Sequence, residues 1–331
     1  MTRARDIADQ QDNLGGAVAP WVAGKNKIIN GGFDFFQRTS FSQSTEGYSL
    51  DRWVCGTNGA TVTQQTTGVP IGSRYCMRVT YNGSAYANII QYIETSNCAD
   101  LWGQTATMSY KLRRSSTYTG SLAVWVQKSA TVNAGSGATW TTISSVSVAN
   151  ASLPTGTTSA DWFSGSFPLV VPNDGTANSL RVLVVDPGGA ASPYWEIAQF
   201  QLEAGSLATP FSRAGGSIGG ELALCQRYYY RWNADTTNAQ YGNGFGVNTT
   251  AAYVQFQLPI PMRVPPTALD YSVVVLGNGS ASYTGGTWAF TRNHSLSPML
   301  QYGGITGLTQ NNYYQLLALS TSNFIGFSAE L

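Results

Sequence analysis

A single histidine, His294, sits in the 331-residue chain, in the turn-like run TRNHSLSP. A Ser-His-Asp or Cys-His arrangement would have to be built on it, since the nucleophile needs a base within hydrogen-bond reach. No G-x-S-x-G or S-x-x-K motif accompanies it, so it is read as a surface-loop residue. Cys55, Cys76, Cys98 and Cys225 form no C-x-x-C pair and have no histidine nearby, so no zinc site is expected. They read as small buried hydrophobes; a Cys55–Cys76 disulfide is permitted but not implied. Glycoside hydrolysis needs two carboxylates flanking the bond. Asp34, Glu46 and Asp51 cluster near the start, and Glu94, Glu196 and Glu203 lie on or beside strands. Nothing in the spacing selects a pair, and solvated or turn-capping acids are the expectation. The Gly-rich run Gly242–Gly246 opens no helix and is read as a turn, not a phosphate cradle. No calcium loop of the D-x-D-x-D-G type occurs, and no metal or cofactor is expected.

Aromatic and amide surface is what the chain offers instead. Trp53, Trp102, Trp125, Trp140, Trp162 and Trp195 accompany 18 Tyr and many Asn, Gln, Ser and Thr. Flat rings can cover the C–H faces of sugars while amides and hydroxyls meet their OH groups, one apolar face with a few placed polar groups. Trp53, Trp125 and Trp162 are the candidate ligand contacts of the first two thirds. Tyr241, Tyr283, Trp288 and Tyr302 are those of the last third, because they sit beside glycine turns expected to be exposed. The competing reading of each Trp is an ordinary place in a sandwich core.

Charge excludes other partners. Lys and Arg number 18 against 17 Asp and Glu, and charged residues are 11% of the chain, under half the roughly 25% of a typical soluble domain. Nucleic-acid binding by phosphate neutralisation needs a clustered cationic surplus that is missing. No apolar run approaches a membrane span, and Arg3, Arg5, Asp6 and Asp9 stand where a signal peptide would need an apolar stretch. Synthesis in the cytoplasm without membrane insertion is expected.

The elements that must position these residues are mostly strands, and the fold class is all-β. Residues 1–26 form an attachment or assembly segment, with a short helix over 2–14 whose Ala4, Ile7, Gln11 and Leu14 follow a seam spacing. Ile7, Leu14 and Trp21 are the assembly candidates. From 27 to 212, period-2 alternation predicts a β-sandwich: Ala106, Met108, Tyr110 and Leu112; Leu122, Val124 and Val126; Leu180, Val182 and Val184; Ala198, Phe200 and Leu202. Four glycines in the nine residues 212–220 predict a flexible joint, with 213–220 as the linker. Residues 221–331 read as a second, smaller β-sandwich: a helical turn over Leu222 and Cys225 feeding a strand, then strands at 251–258, 271–276, 286–291, 313–319 and 323–330. Pro259, Pro261, Pro265 and Pro266 break the chain between the first two of those strands.

The order NKIINGGFDFFQR, YSLDRW, SRYCMRVTYNG, IIQYIE, LWGQTATMSYKLR, DWFSGSFPLVVP and YWEIAQFQLEAGSLATPF resembles the carbohydrate-binding-module-like jelly roll of many bacteriophage virion proteins. In that pattern an opening N-G-x-F segment, here Asn30, Gly31 and Phe33, pairs with a closing strand. The closing residues here are Gln201, Leu202, Glu203, Gly205 and Ala208–Phe211. The leader and the junction ELALCQRYYYRW also look like segments of tail-fibre proteins. The resemblance covers about residues 1–232 and carries no catalytic residues. It implies a virion component: a non-catalytic tail fibre touching host surface polysaccharide. It also implies a homotrimer joined to other virion proteins through its N-terminal segment. A purely structural virion protein, such as a capsid decoration or tail-assembly piece, is the alternative. A polysaccharide-degrading tailspike is a third reading, disfavoured because no repeat marks a β-helix body.

Overall fold

The computed structural model describes residues 23–38, 41–42, 46–57, 60–81, 87–174, 179–186 and 194–331. The helix expected over 2–14, with Ile7, Leu14 and Trp21, lies outside them. The chain divides into two compact units, the first reaching Leu224 and the second Cys225–Glu330.

The first unit has twelve strands among the described residues. They are β1 Phe41–Ser42, β2 Gly47–Tyr48, β3 Val54–Thr57, β4 Ala60–Gln65, β5 Cys76–Tyr81, β6 Ala87–Ile93, β7 Thr105–Arg114, β8 Leu122–Ser129, β9 Thr141–Val148, β10 Phe163–Val170, β11 Ser179–Asp186 and β12 Tyr194–Ala204. One antiparallel sheet runs β1-β4-β5-β12-β7-β10 and the other β2-β3-β6-β11-β8-β9. Alternation explains the core: Met108, Tyr110 and Leu112 on β7, Leu122, Val124 and Val126 on β8, and Leu180, Val182 and Val184 on β11 all enter one buried cluster. Phe33, Trp53 and Phe200 lie at its centre, with ring centroids 5.2–6.3 Å apart. Such aromatic pairs add about 0.5–1.5 kcal/mol each beyond area burial.

One expected face is broken. Ala198 does not join Phe200 and Leu202 in that cluster but packs with Cys76 and Trp162. The register along β7 shifts between Ala198 and Gln201, and Gln199 takes φ +52. This is a bulge, and it reverses the facing of what precedes it. Its cause is the opening segment. Phe200 N–H donates to Gly31 C=O at 3.0 Å, while Asn26 Nδ2 donates to Phe200 C=O at 3.0 Å. Lys27 N–H donates to Leu202 C=O at 2.9 Å, so the opening and closing motifs do pair. A Cβ on Gly31 would run into the Phe200 carbonyl oxygen.

The glycine run expected as a linker belongs to the first unit and leads into a helix. Ile218–Gln226 is a helix, and Gly215 N–H donates to Oε2 of its buried Glu221 at 2.6 Å. Asn30 N–H donates to the other oxygen of that carboxylate. A buried acceptor that satisfies two backbone donors draws the glycines into the fold.

The second unit contains β13 Tyr229–Asn233, β14 Gln240–Gly246, β15 Ala251–Gln255, β16 Ala268–Tyr271, β17 Val274–Gly277, β18 Ser282–Tyr283, β19 Thr287–Arg292, β20 Met299–Gly303, β21 Tyr313–Ala318 and β22 Phe324–Ser328. A three-stranded sheet β13-β22-β16 and a seven-stranded sheet β18-β17-β21-β14-β15-β20-β19 enclose a shared core. The helix feeds β13 as the sequence suggests. Gly242–Gly246, expected as a turn, is instead the middle of the large sheet. A Cβ at Gly244 would strike the Tyr253 carbonyl oxygen across the β14–β15 pair. Glycine here serves close strand approach, not chain reversal.

Candidate functional site: an aromatic and amide sheet face

The seven-stranded sheet turns one face to its core and the other to solvent. Tyr314, Leu316 and Ala318 on β21, with Ala252 and Val254 on β15, enter the core. Their neighbours therefore line the outward face. Register sets them in rows. Tyr313, Phe245, Tyr253, Gln301 and Ala289 lie side by side across β21, β14, β15, β20 and β19. The next row is Gln315, Asn243, Gln255, Met299 and Arg292. Phe245 is 44% exposed and Tyr313 55% exposed, high values for rings that could have packed inward.

The polar groups are held in place. Tyr313 OH donates to Asn243 Oδ1, which also accepts from Gln240 Nε2 at 2.5 Å. Gln315 Nε2 donates to Gln240 Oε1 at 2.9 Å. Phe245 meets Tyr253 edge to face at 5.9 Å, and the Arg292 guanidinium stands 5.9 Å from the Tyr253 ring centre. None of the seven strands contains Asp or Glu, so their outward rows carry no carboxylate. The face can stack apolar ring faces and exchange hydrogen bonds with uncharged hydroxyls.

The residues expected to make ligand contacts in this unit face the other way. Tyr302 is 2% exposed, its hydroxyl accepting from Gly286 N–H at 2.8 Å, and Trp288 stacks on it at 4.5 Å. Tyr241 is buried in the same core. Tyr283 is half-buried, packs against that core, and its hydroxyl donates to Gly307 C=O at 3.0 Å. These four are core or core-edge groups. The outward rings Phe245, Tyr253 and Tyr313 were missed, although strand parity could have found them.

In the first unit the three candidate tryptophans separate. Trp53 is fully buried, and its indole N–H donates to Asn30 C=O at 3.1 Å; it is not a ligand platform. Trp162 lies under the Arg113 guanidinium at 4.4 Å, with its N–H on Gly68 C=O at 2.9 Å, so its ring is already engaged. Trp125 alone remains half-buried, on the row Ser145, Trp125, Leu183, Ile90, Val54 and Tyr48 across the second sheet, where it packs against the buried Val54, Ile90 and Leu183.

The acids weighed for hydrolysis are mostly structural. Glu196 binds Arg78 and Arg113. Asp34 takes both Nε (2.7 Å) and a terminal nitrogen (3.1 Å) of Arg213. Glu203 accepts from Thr209 N–H, Thr209 OH and Gln201 Nε2. Asp51 accepts from Gln37 twice. His294 is exposed and accepts Leu296 N–H. Among the described residues no three His, Cys, Asp or Glu gather where they could hold a metal ion. All four cysteines are buried thiols; burial first of all pushes Cys76 up to about 12 and Cys98 to about 11. Thiolate is the reactive form, so at pH 8 the folded protein should resist a thiol reagent and give four reactive groups only on unfolding. Fast labelling of any of them in the folded chain would contradict this burial.

No protein-family model matches the chain, and no curated protein matches it. Solved structures do. TmCBM61 in complex with β-1,4-galactotriose aligns at TM-score 0.34 and 15% identity, over 54% of this chain and 99% of that one. The enzymatically active domain of tailspike protein 4 from bacteriophage CBA120 aligns at 0.34 and 15%, over 55% of this chain but only 22% of that one. The family 11 carbohydrate-binding module from Clostridium thermocellum, in complex with a mixed-linked tetrasaccharide, aligns at 0.31 and 12%, over 50% and 96%.

Proposed function

We propose that this chain is a non-catalytic saccharide-binding component of a bacteriophage particle, a tail fibre that meets host surface polysaccharide with the outward face of the seven-stranded sheet. One observation carries the saccharide reading: the row of exposed Tyr313 and Phe245 and half-buried Tyr253 beside an ordered set of amides. The phage reading rests on the order of sequence motifs, from the opening Asn30-Gly31-x-Phe33 to the closing Ala208–Phe211. Ile7, Leu14 and Trp21 then serve attachment to other virion proteins. Three copies would multiply weak single sites, because linked sites gain roughly 10²–10⁴ in avidity.

The test is saturable binding of the labelled full-length protein to host cells and to purified surface polysaccharide, with competition by whole phage. Phe245→Ala and Tyr313→Ala each remove an exposed ring and leave the core untouched. Each should weaken binding about tenfold or more, as truncation of a stacked aromatic hot spot does. Unchanged binding in both variants would defeat the assigned face. No saturable binding by the folded wild type would favour a structural virion role.

A further inference from the structure

A second polar site lies in the first unit, on the outward side of the β1-β4-β5-β12-β7-β10 sheet. Register places Ser164 opposite Lys111 and Ser166 opposite Ser109, so these four side chains form a square on β10 and β7. The bulge in β12 opens beside them, between the partners of Lys111 and Ser109. Gln199 occupies that bulge in the left-handed region, which a non-glycine residue rarely adopts. The closing segment Ala208–Phe211 supplies the opposite wall. The open cleft holds about 260 Å³, just under the roughly 300–1,000 Å³ of pockets for drug-sized ligands. That leaves room for one sugar ring.

Charge makes the cleft selective. Lys111 Nζ donates to Ser164 Oγ at 2.7 Å and, among the described residues, has no carboxylate partner. Arg78 and Arg113 of the same sheet are paired with Glu196, and Arg213, just past the closing segment, with Asp34. The Gln199 amide nitrogen is held by Ile71 C=O at 2.9 Å and Ser73 Oγ at 3.0 Å, so the cleft offers the ammonium as one charge-assisted donor and three serine hydroxyls as neutral partners. We infer that this cleft binds the carboxylate-bearing sugar unit of an acidic saccharide, with Lys111 on the carboxylate and Ser109, Ser164 and Ser166 on ring hydroxyls. The inference is independent of the saccharide face in the second unit.

The experiment is ligand-observed NMR and calorimetry on the full-length protein, with methyl β-D-glucuronide, methyl β-D-glucoside and acetate as probes. The glucuronide should bind at least tenfold more tightly than the glucoside. Acetate, which has charge but no ring, should bind weakly. Lys111→Gln should erase the preference, and Lys111→Arg should keep most of it. Acidic oligosaccharide and the free monosaccharide glycoside, compared in parallel, tell a chain ligand from a single sugar. Equal binding of glucuronide and glucoside, no binding of either, or a preference that survives Lys111→Gln would overturn the inference. Tyr313→Ala should leave the glucuronide signal unchanged, so failure here and failure of the seven-stranded face are read separately.

Discussion

Replacing Glu196 by Ala should destabilise the first unit by about 3–5 kcal/mol, the usual consequence of leaving a buried ion uncompensated. Glu196 is fully buried and accepts from Arg78 at 2.8 Å and from Arg113. Arg113 is 3% exposed and cannot turn to water. It also donates to the Gly68, Thr158 and Thr67 carbonyls, tying two loops to the sheet. Trp162 closes over its guanidinium. Loss of the carboxylate leaves this cation with carbonyl partners only, and both loops and the Trp162 contact should loosen with it. Glu196→Gln keeps one acceptor and should cost less. Urea unfolding, followed by Trp fluorescence and checked by calorimetry, measures both. At about 2–4 °C per kcal/mol for a unit of this size, the Ala variant should melt about 6–20 °C lower. A loss under about 1 kcal/mol would show that the cluster is not the clamp it resembles.

Strand alternation made much of the first sandwich legible. Met108, Tyr110 and Leu112, with their counterparts on β8 and β11, follow the period that one buried face imposes, and all are buried. Alternation failed where pairing was not local. Nothing near Ala198 announces the bulge, because its cause lies some 170 positions away, in the backbone of Gly31 and the amide of Asn26. The glycine run at 213–220 misled in a related way. Glycine marks freedom in isolation, but here the buried Glu221 gives the Gly215 N–H a partner.

The aromatic site was less legible than the fold. Proximity to glycine suggested exposure for Tyr241, Trp288 and Tyr302, yet these rings fill the second core. In β14, alternate glycines bring two neighbouring strands close, so glycine there signals a packed sheet interior. The outward rings are one residue away from buried ones: Tyr313 beside Tyr314, and Tyr253 beside Val254. Residue type cannot separate such neighbours. Only the parity of each strand does, and that parity is fixed by which residues the rest of the core accepts.

Trp53 and Trp125 put this distinction to a quantitative test, since residue type alone offers no reason to treat them differently. Trp53→Ala should cost about 3–5 kcal/mol, the range for removing a large buried aromatic. It empties a site ringed by Phe33 and Phe200 and leaves the Asn30 carbonyl without the indole donor. Asn30 sits at φ +56 and its side chain bonds Phe35 and Asp51, so the turn that starts the sandwich has little room to collapse into the void. Trp125→Ala removes a half-buried ring from the edge of the smaller cluster of Val54, Ile90, Tyr92 and Leu183, where the void opens in part to water, and should cost less, about 1–2 kcal/mol. Equilibrium unfolding of the two variants decides the matter. Similar losses would mean that the core and the outer face of this sandwich have been wrongly divided. A large gap would place Trp53 in the machinery of folding and leave Trp125 free for contact with something outside the chain.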